Sequence, residues 1–152
     1  MSEDPLARTE LTFLLGMAFQ LVLGEFAARL GPTDLRPVHG LAFQALQHGG
    51  RTSTELADVL GVTKQAAGQI VDELERKGYV VRVPHPSGGR RKLVELTGRA
   101  RDHLVVAGHT LRGIEADLAA RVGGDLGGLR VDLTRVIRAL AGDSPPPLRP
   151  IW

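Results

Sequence analysis

The stretch from Arg51 to Thr97, RTSTELADVLGVTKQAAGQIVDELERKGYVVRVPHPSGGRRKLVELT, constrains this chain more than any other. Thr52-Ser53-Thr54-Glu55 has the form of a capping box, with Thr52 as N-cap and Glu55 reaching back. The helix it opens is short and stops at Gly61. Thr63 can cap a second helix that runs to about Lys77 and closes at Gly78. Tyr79 to Val83 is β-branched and aromatic, the composition of a strand. Pro84 to Arg90 reads as a loop, with Gly88-Gly89 permitting positive φ at a hairpin tip, and Lys92 to Leu96 as the return strand.

Two helices that cross steeply through a turn of roughly three or four residues make particular demands on sequence. Ala57 supplies a small residue four positions before the turn glycine, and Gly61 supplies the backbone freedom for the turn itself. Leu56, Leu60, Val62, Ala67 and Ile70 are spaced to pin the pair together. Helix, turn, helix and basic hairpin in this order describe a winged helix-turn-helix, which sets one helix into the major groove of DNA.

The second helix divides into two faces. Ala67, Ile70, Val71 and Leu74 recur at the spacing of a buried stripe. Gln65, Gly68, Gln69 and Asp72 have the same spacing on the opposite side. Gln65 and Gln69 carry amides able to pair bidentately with adenine. Gly68 between them costs helix stability, on the order of 1 kcal/mol relative to Ala, and would allow close approach to bases. Thr63 and Lys64 sit at the helix N-terminus, where N–H groups and positive charge favour phosphate. At the hairpin tip, Arg90, Arg91 and Lys92 suit contact along or in a minor groove. The plainer alternatives are a solvated polar face and an ordinary charged hairpin.

The charge distribution agrees. Residues 51–101 carry ten Lys/Arg against six Asp/Glu, a net of +4, whereas the rest carries nine against eleven, a net of −2. A local basic patch on a near-neutral chain points to a polyanion met by one face. Cysteine is absent, which excludes disulfides and thiolate–metal sites and fits a reducing cytoplasm.

Outside this block the pattern is helical. Residues 6–30 read as one helix ended by Gly31-Pro32, and Pro37 to Gln47 as another. Thr97 can cap a long helix over roughly 98–122, and a last helix over about 125–141 aligns Leu126, Leu129, Leu133, Val136, Ile137 and Leu140. The apolar run Leu11 to Leu23 is too short to span a bilayer and is preceded by Glu3, Asp4 and Glu10 rather than the basic start of a signal peptide. It is expected to be buried on more than one face, which in a small chain hints at a dimer interface. The tail from Gly142 is proline-rich and expected to be extended or disordered, the alternative being that Pro145–Trp152 packs on the partner subunit with Leu148, Ile151 and Trp152 as anchors.

The order of elements resembles the MarR family of bacterial transcriptional regulators, from about residue 8 to 141. The most specific parts are TSTELADVLGVTKQAAGQIVDELERKGYVVR and GRRKLVELT. The resemblance implies a mostly α fold with a small β-hairpin wing. It implies a dimerisation region at 1–33 and 98–152 and a DNA-binding lobe at 34–97. It further implies a homodimer on pseudo-palindromic double-stranded DNA, repressing nearby genes until a small, often phenolic or aromatic, ligand releases it. Thr63, Lys64, Gln65 and Gln69 fall at recognition-helix contact positions, and Arg90 at the wing arginine. Three departures stand out, one being Gln69 at a position that is often arginine in relatives, which implies a different operator sequence. Gly88 replaces the acid that commonly holds the wing arginine, and Arg36 replaces the hydroxyl cap before Pro37, leaving Asp34 as a substitute cap.

Candidate pocket residues for an effector are Gln20, Arg36, His39 and His103. No histidine pair has metal-ligand spacing, no serine sits in a nucleophile elbow, and no glycine run matches a phosphate loop, so neither metal, cofactor nor enzyme is expected. No membrane partner is expected. A reading from another class remains: a winged-helix protein-interaction module that never reads bases.

Overall fold

The structure, a computed structural model, describes residues 3–150. The chain falls into two compact units, Met1–Thr33 with Ala107–Leu126, and Asp34–Val106 with Gly127–Trp152. Its helices are α1 (Leu11–Leu30), α2 (Pro37–Leu46), α3 (Ser53–Leu60), α4 (Lys64–Arg76), α5 (Gly98–Arg121) and α6 (Gly127–Ala141). One antiparallel hairpin, β1 (Val80–Pro84) and β2 (Lys92–Leu96), lies between α4 and α5. The anchors Ile151 and Trp152 expected from sequence lie outside the described residues.

In the first unit, the single helix expected over 6–30 is interrupted. Pro5–Arg8 forms a 3-10 turn, because the Asp4 carboxylate accepts from the Leu6 N–H at 3.0 Å and Pro5 opens the turn. Thr9 is then extended and α1 starts anew at Leu11. The continuous helix is nevertheless longer than the apolar run suggests. At 20 residues it is long and apolar enough, by length and composition alone, to cross a membrane. The expectation that it is buried fails for the single chain: no α1 residue is buried, and Leu21 is 74% exposed. Arg29 joins α1 to α5 by bonding Glu25 at 3.0 Å and Asp117 at 2.8 Å. Beside it, Leu21, Val22, Ile114 and Leu118 line an open groove of about 300 Å³.

The second unit holds the core. Phe43 and Leu46 of α2, Leu56 and Leu60 of α3, and Ile70, Val71 and Leu74 of α4 pack with Tyr79, Val80, Val94, Leu96 and Ala100. Each set falls on one stripe of its helix, so burial follows from the spacing. The hairpin pairs Val80 with Leu96 and Pro84 with Lys92. A third backbone segment joins it: Arg51 and Val94 exchange hydrogen bonds of 3.1 and 2.7 Å, which places Arg51, just ahead of the Thr52 cap of α3, on the outer edge of β2. Gly50 lets that segment close in, since a Cβ there would meet Glu95 Cγ at 2.9 Å.

α2 is capped differently from the expectation. Asp34 does not serve as its cap; its carboxylate accepts from the Tyr79 hydroxyl at 3.2 Å. The N–H of Arg36 donates instead to Nδ1 of His39, at 2.9 Å, which satisfies a helix-start donor from inside the core. α6 carries its apolar stripe to solvent in the single chain, with Leu140 86% exposed and no residue buried.

Candidate nucleic-acid interface

Thr52 Oγ1 accepts from the Glu55 N–H at 3.1 Å and opens α3. The Glu55 carboxylate meets the Thr52 hydroxyl, also at 3.1 Å, rather than the backbone N–H of the ideal capping box. α3 ends at Gly61 in the left-handed conformation (φ 68°, ψ 33°), with the Val62 N–H bonded to Ala57 O at 3.1 Å. A side chain at position 61 would be strained there, which is why the turn needs glycine. Thr63 Oγ1 then accepts from the Ala66 N–H at 3.0 Å and α4 begins.

α4 realises the two faces read from its sequence. Ala67, Ile70, Val71 and Leu74 are buried, whereas Lys64, Gln65, Gln69 and Asp72 are exposed and Gly68 is half-buried. A Cβ at Gly68 would meet nothing within 4 Å, so no contact among the described residues requires the missing side chain. Asp72 has an internal partner that its position alone does not reveal. It accepts from Arg82 Nη2 at 2.7 Å, and Arg82 Nη1 reaches Glu75 at 2.9 Å. Arg82 thereby ties β1 to α4 and sets the hairpin relative to the helix.

At the tip, Gly88 and Gly89 both adopt φ 78°. The left-handed backbone at Gly88 disfavours the carboxylate side chain that the resemblance leads one to look for there. Order comes from another route. His85 Nδ1 lies 2.6 Å from Ser87 Oγ, and Arg91 Nη2 donates to Ser87 Oγ at 3.1 Å. The anchored arginine of the tip is therefore Arg91. Arg90 and Lys92 are exposed, and neither has a side-chain partner among the described residues.

Of the candidate pocket residues, Gln20 lies exposed on α1 in the first unit; Arg36, His39 and His103 belong to the second. Arg36 bonds Glu73 at 2.6 Å, and Lys77 bonds the same carboxylate at 3.1 Å. His39 is fully buried; its Nε2 lies 3.3 Å from Glu73 Oε2 without the alignment of a hydrogen bond. The Arg36 guanidinium foremost, then Lys77, holds the Glu73 carboxyl down to about 2. Burial lowers the His39 imidazole, partly offset by Glu73. His103 stands edge-on to Phe43 with centroids 5.6 Å apart, and burial lowers it too. Arg99 stacks over Tyr79 at 4.4 Å. Thus Arg36 and His39 are engaged in an internal ion cluster whose centre, Glu73, gave no signal in the sequence beyond its place on α4. Among the described residues, no group of His, Asp and Glu could hold a metal ion.

A short helix, a glycine turn, a helix with a polar outer face and a basic antiparallel hairpin make a winged helix-turn-helix of the DNA-binding kind. The winged lobe belongs to the MarR family, whose model matches residues 33–91. Among solved structures, RV1404 from Mycobacterium tuberculosis is 26% identical, with 94% of this chain and 99% of that one covered and a TM-score of 0.73. The transcriptional repressor CouR, solved bound to a 23-mer DNA duplex, is 26% identical over 93% of this chain and 98% of its own, with a TM-score of 0.71. The multiple antibiotic resistance repressor MarR is 25% identical, covering 85% and 96%, with a TM-score of 0.66. Among curated proteins, none matches the chain by sequence. The chain is a DNA-binding transcription regulator with a MarR-type winged helix.

Proposed function

We propose that the chain works as a homodimer in the cytoplasm, represses nearby genes by occupying a pseudo-palindromic duplex, and is released by a small, aromatic or phenolic ligand. The observation that carries the DNA-reading part is α4 itself. Its buried face is complete, and its other face offers Gln65 and Gln69 flanking a glycine that no internal contact explains. Thr63, Lys64, Arg90, Arg91 and Lys92 are assigned to phosphate or minor-groove contact. The DNA-bound state of CouR supports this assignment by likeness.

Homodimerisation is supported by the exposure of α1 and of the α6 stripe, since large apolar surface left open on a single chain marks an interaction surface. The dimerisation region is assigned to 1–33 and 98–152 and the reading lobe to 34–97. Gln20, Arg36, His39 and His103 remain the polar groups assigned to effector response. Sedimentation analysis tests the assembly, and anisotropy with duplexes selected from a random pool tests the reading. The reading predicts one dimer per duplex and inverted half-sites about one helical turn apart. A monomer in solution, or a pool that returns no enriched sequence, contradicts it.

A further inference from the structure

The C-terminal tail reaches the helix-turn-helix through Arg149. Its Nη2 donates to Asp58 O at 3.0 Å and its Nε to Val59 O at 3.2 Å. These are carbonyls of the last turn of α3, where a helix runs short of intrahelical donors; Asp58 O also accepts from the Gly61 N–H, at 3.3 Å. α3 has no basic residue in its own last turn, so Arg149 supplies from 90 residues away the cation that a helix C-terminus favours. Gly61 makes room for it. A Cβ at that position would stand 2.8 Å from Arg149 Cδ. The glycine thus meets two demands at once, the left-handed turn and the seat for an arginine. Leu148, expected to anchor the tail on a partner subunit, is 56% exposed in the single chain. The preceding Pro145-Pro146-Pro147 restricts the backbone and reduces the entropy lost when the tail is held.

We propose that Arg149 is a positioning residue for DNA reading: the tail straps the α3–α4 turn and fixes the angle at which α4 presents Gln65 and Gln69. This rests on the assignment of α4 as the base-reading helix, but the strap has a signature that needs no DNA. The full-length Arg149→Ala variant should lose hydrogen-exchange protection at the amides of Gly61 and Val62 by about three- to ten-fold, the loss expected for one or two hydrogen bonds. Its preference for a selected duplex over random duplex should fall by a similar factor. The salt dependence of binding should stay as in the parent, because no phosphate contact is lost. Arg149→Lys, which keeps the charge and one donor group, should recover part of both losses.

Unchanged exchange at the turn overturns the strap, whatever the DNA results. Faster exchange with unchanged preference overturns its role in reading. A salt slope reduced by about one makes Arg149 a phosphate contact instead, and tighter binding by Arg149→Ala makes the tail a blocker of the site; either result overturns the proposal.

Discussion

Arg82 on β1 reaches Asp72 on α4 at 2.7 Å and Glu75 one turn further on at 2.9 Å, so a single guanidinium sets the wing against α4. The guanidinium is about one-quarter exposed and the two carboxylates more so, which makes the pairs modest individually. Arg82→Ala should lower stability by about 1 kcal/mol, or a few degrees in melting temperature. It should also loosen the hairpin, read as faster exchange at the β1 amides. Exchange unchanged at β1 would show that backbone pairing alone holds the wing.

Gly68→Ala separates stability from reading. A Cβ at this mid-helix position meets open space, so the variant should be more stable by up to about 1 kcal/mol. Its affinity for a selected duplex should nevertheless fall, because the proposed reading face of α4 would set the added methyl against base edges. Higher stability with unchanged affinity would take Gly68 off the interface.

The ion cluster around Glu73 predicts a pH dependence. His39 faces Glu73, Arg36 and Lys77, and burial lowers its proton affinity below the ordinary value of 6.5. The unfolded chain therefore takes up a proton first as pH falls. Stability should be full above about pH 6.5 and decline below it. His103, also lowered by burial and facing Asp34, acts in the same direction. Glu73, held down to about 2 from 4.5, adds a second loss as pH falls through the interval between those values. His39→Gln retains an acceptor at the third position of α2, the residue type of a capping box, without the titration. Its melting temperature should drop less between pH 7.5 and 5.5 than the parent's. An equal drop in both proteins would remove His39 as a source.

Much of this was legible in sequence because it rests on local rules. The caps Thr52 and Thr63, the turn at Gly61, the two faces of α4 and the positive φ at Gly88 and Gly89 all follow from residue type and spacing. What escaped depends on contacts between residues far apart in the chain. Nothing local marks Arg51 as a partner of Val94, Arg82 as the tie to Asp72, or Arg149 as a cap for α3. The break at Thr9 was missed because helical periodicity does not register the Asp4–Leu6 bond that competes with it. The burial expected for α1 was misjudged because apolar composition does not say whether the cover comes from the same chain.

The wing offers a contrast between neighbours. Arg90→Ala should weaken binding to selected and random duplexes alike and reduce the salt slope by about one, as loss of a phosphate or minor-groove cation does. An unchanged slope would exclude Arg90 from contact. Ser87→Ala should have a smaller effect, acting through loss of the bond that steadies Arg91.

Base reading by α4, as proposed, depends on Gln65 and Gln69. The most direct measurement is the ratio of affinities for a selected duplex and a random one, compared between the parent and the Gln65→Ala, Gln69→Ala double variant at fixed salt. Loss of about 1–3 kcal/mol per base contact, with random-duplex affinity unchanged, is the predicted result. A ratio that does not move would contradict the account and leave the winged helix as a surface for something other than base sequence.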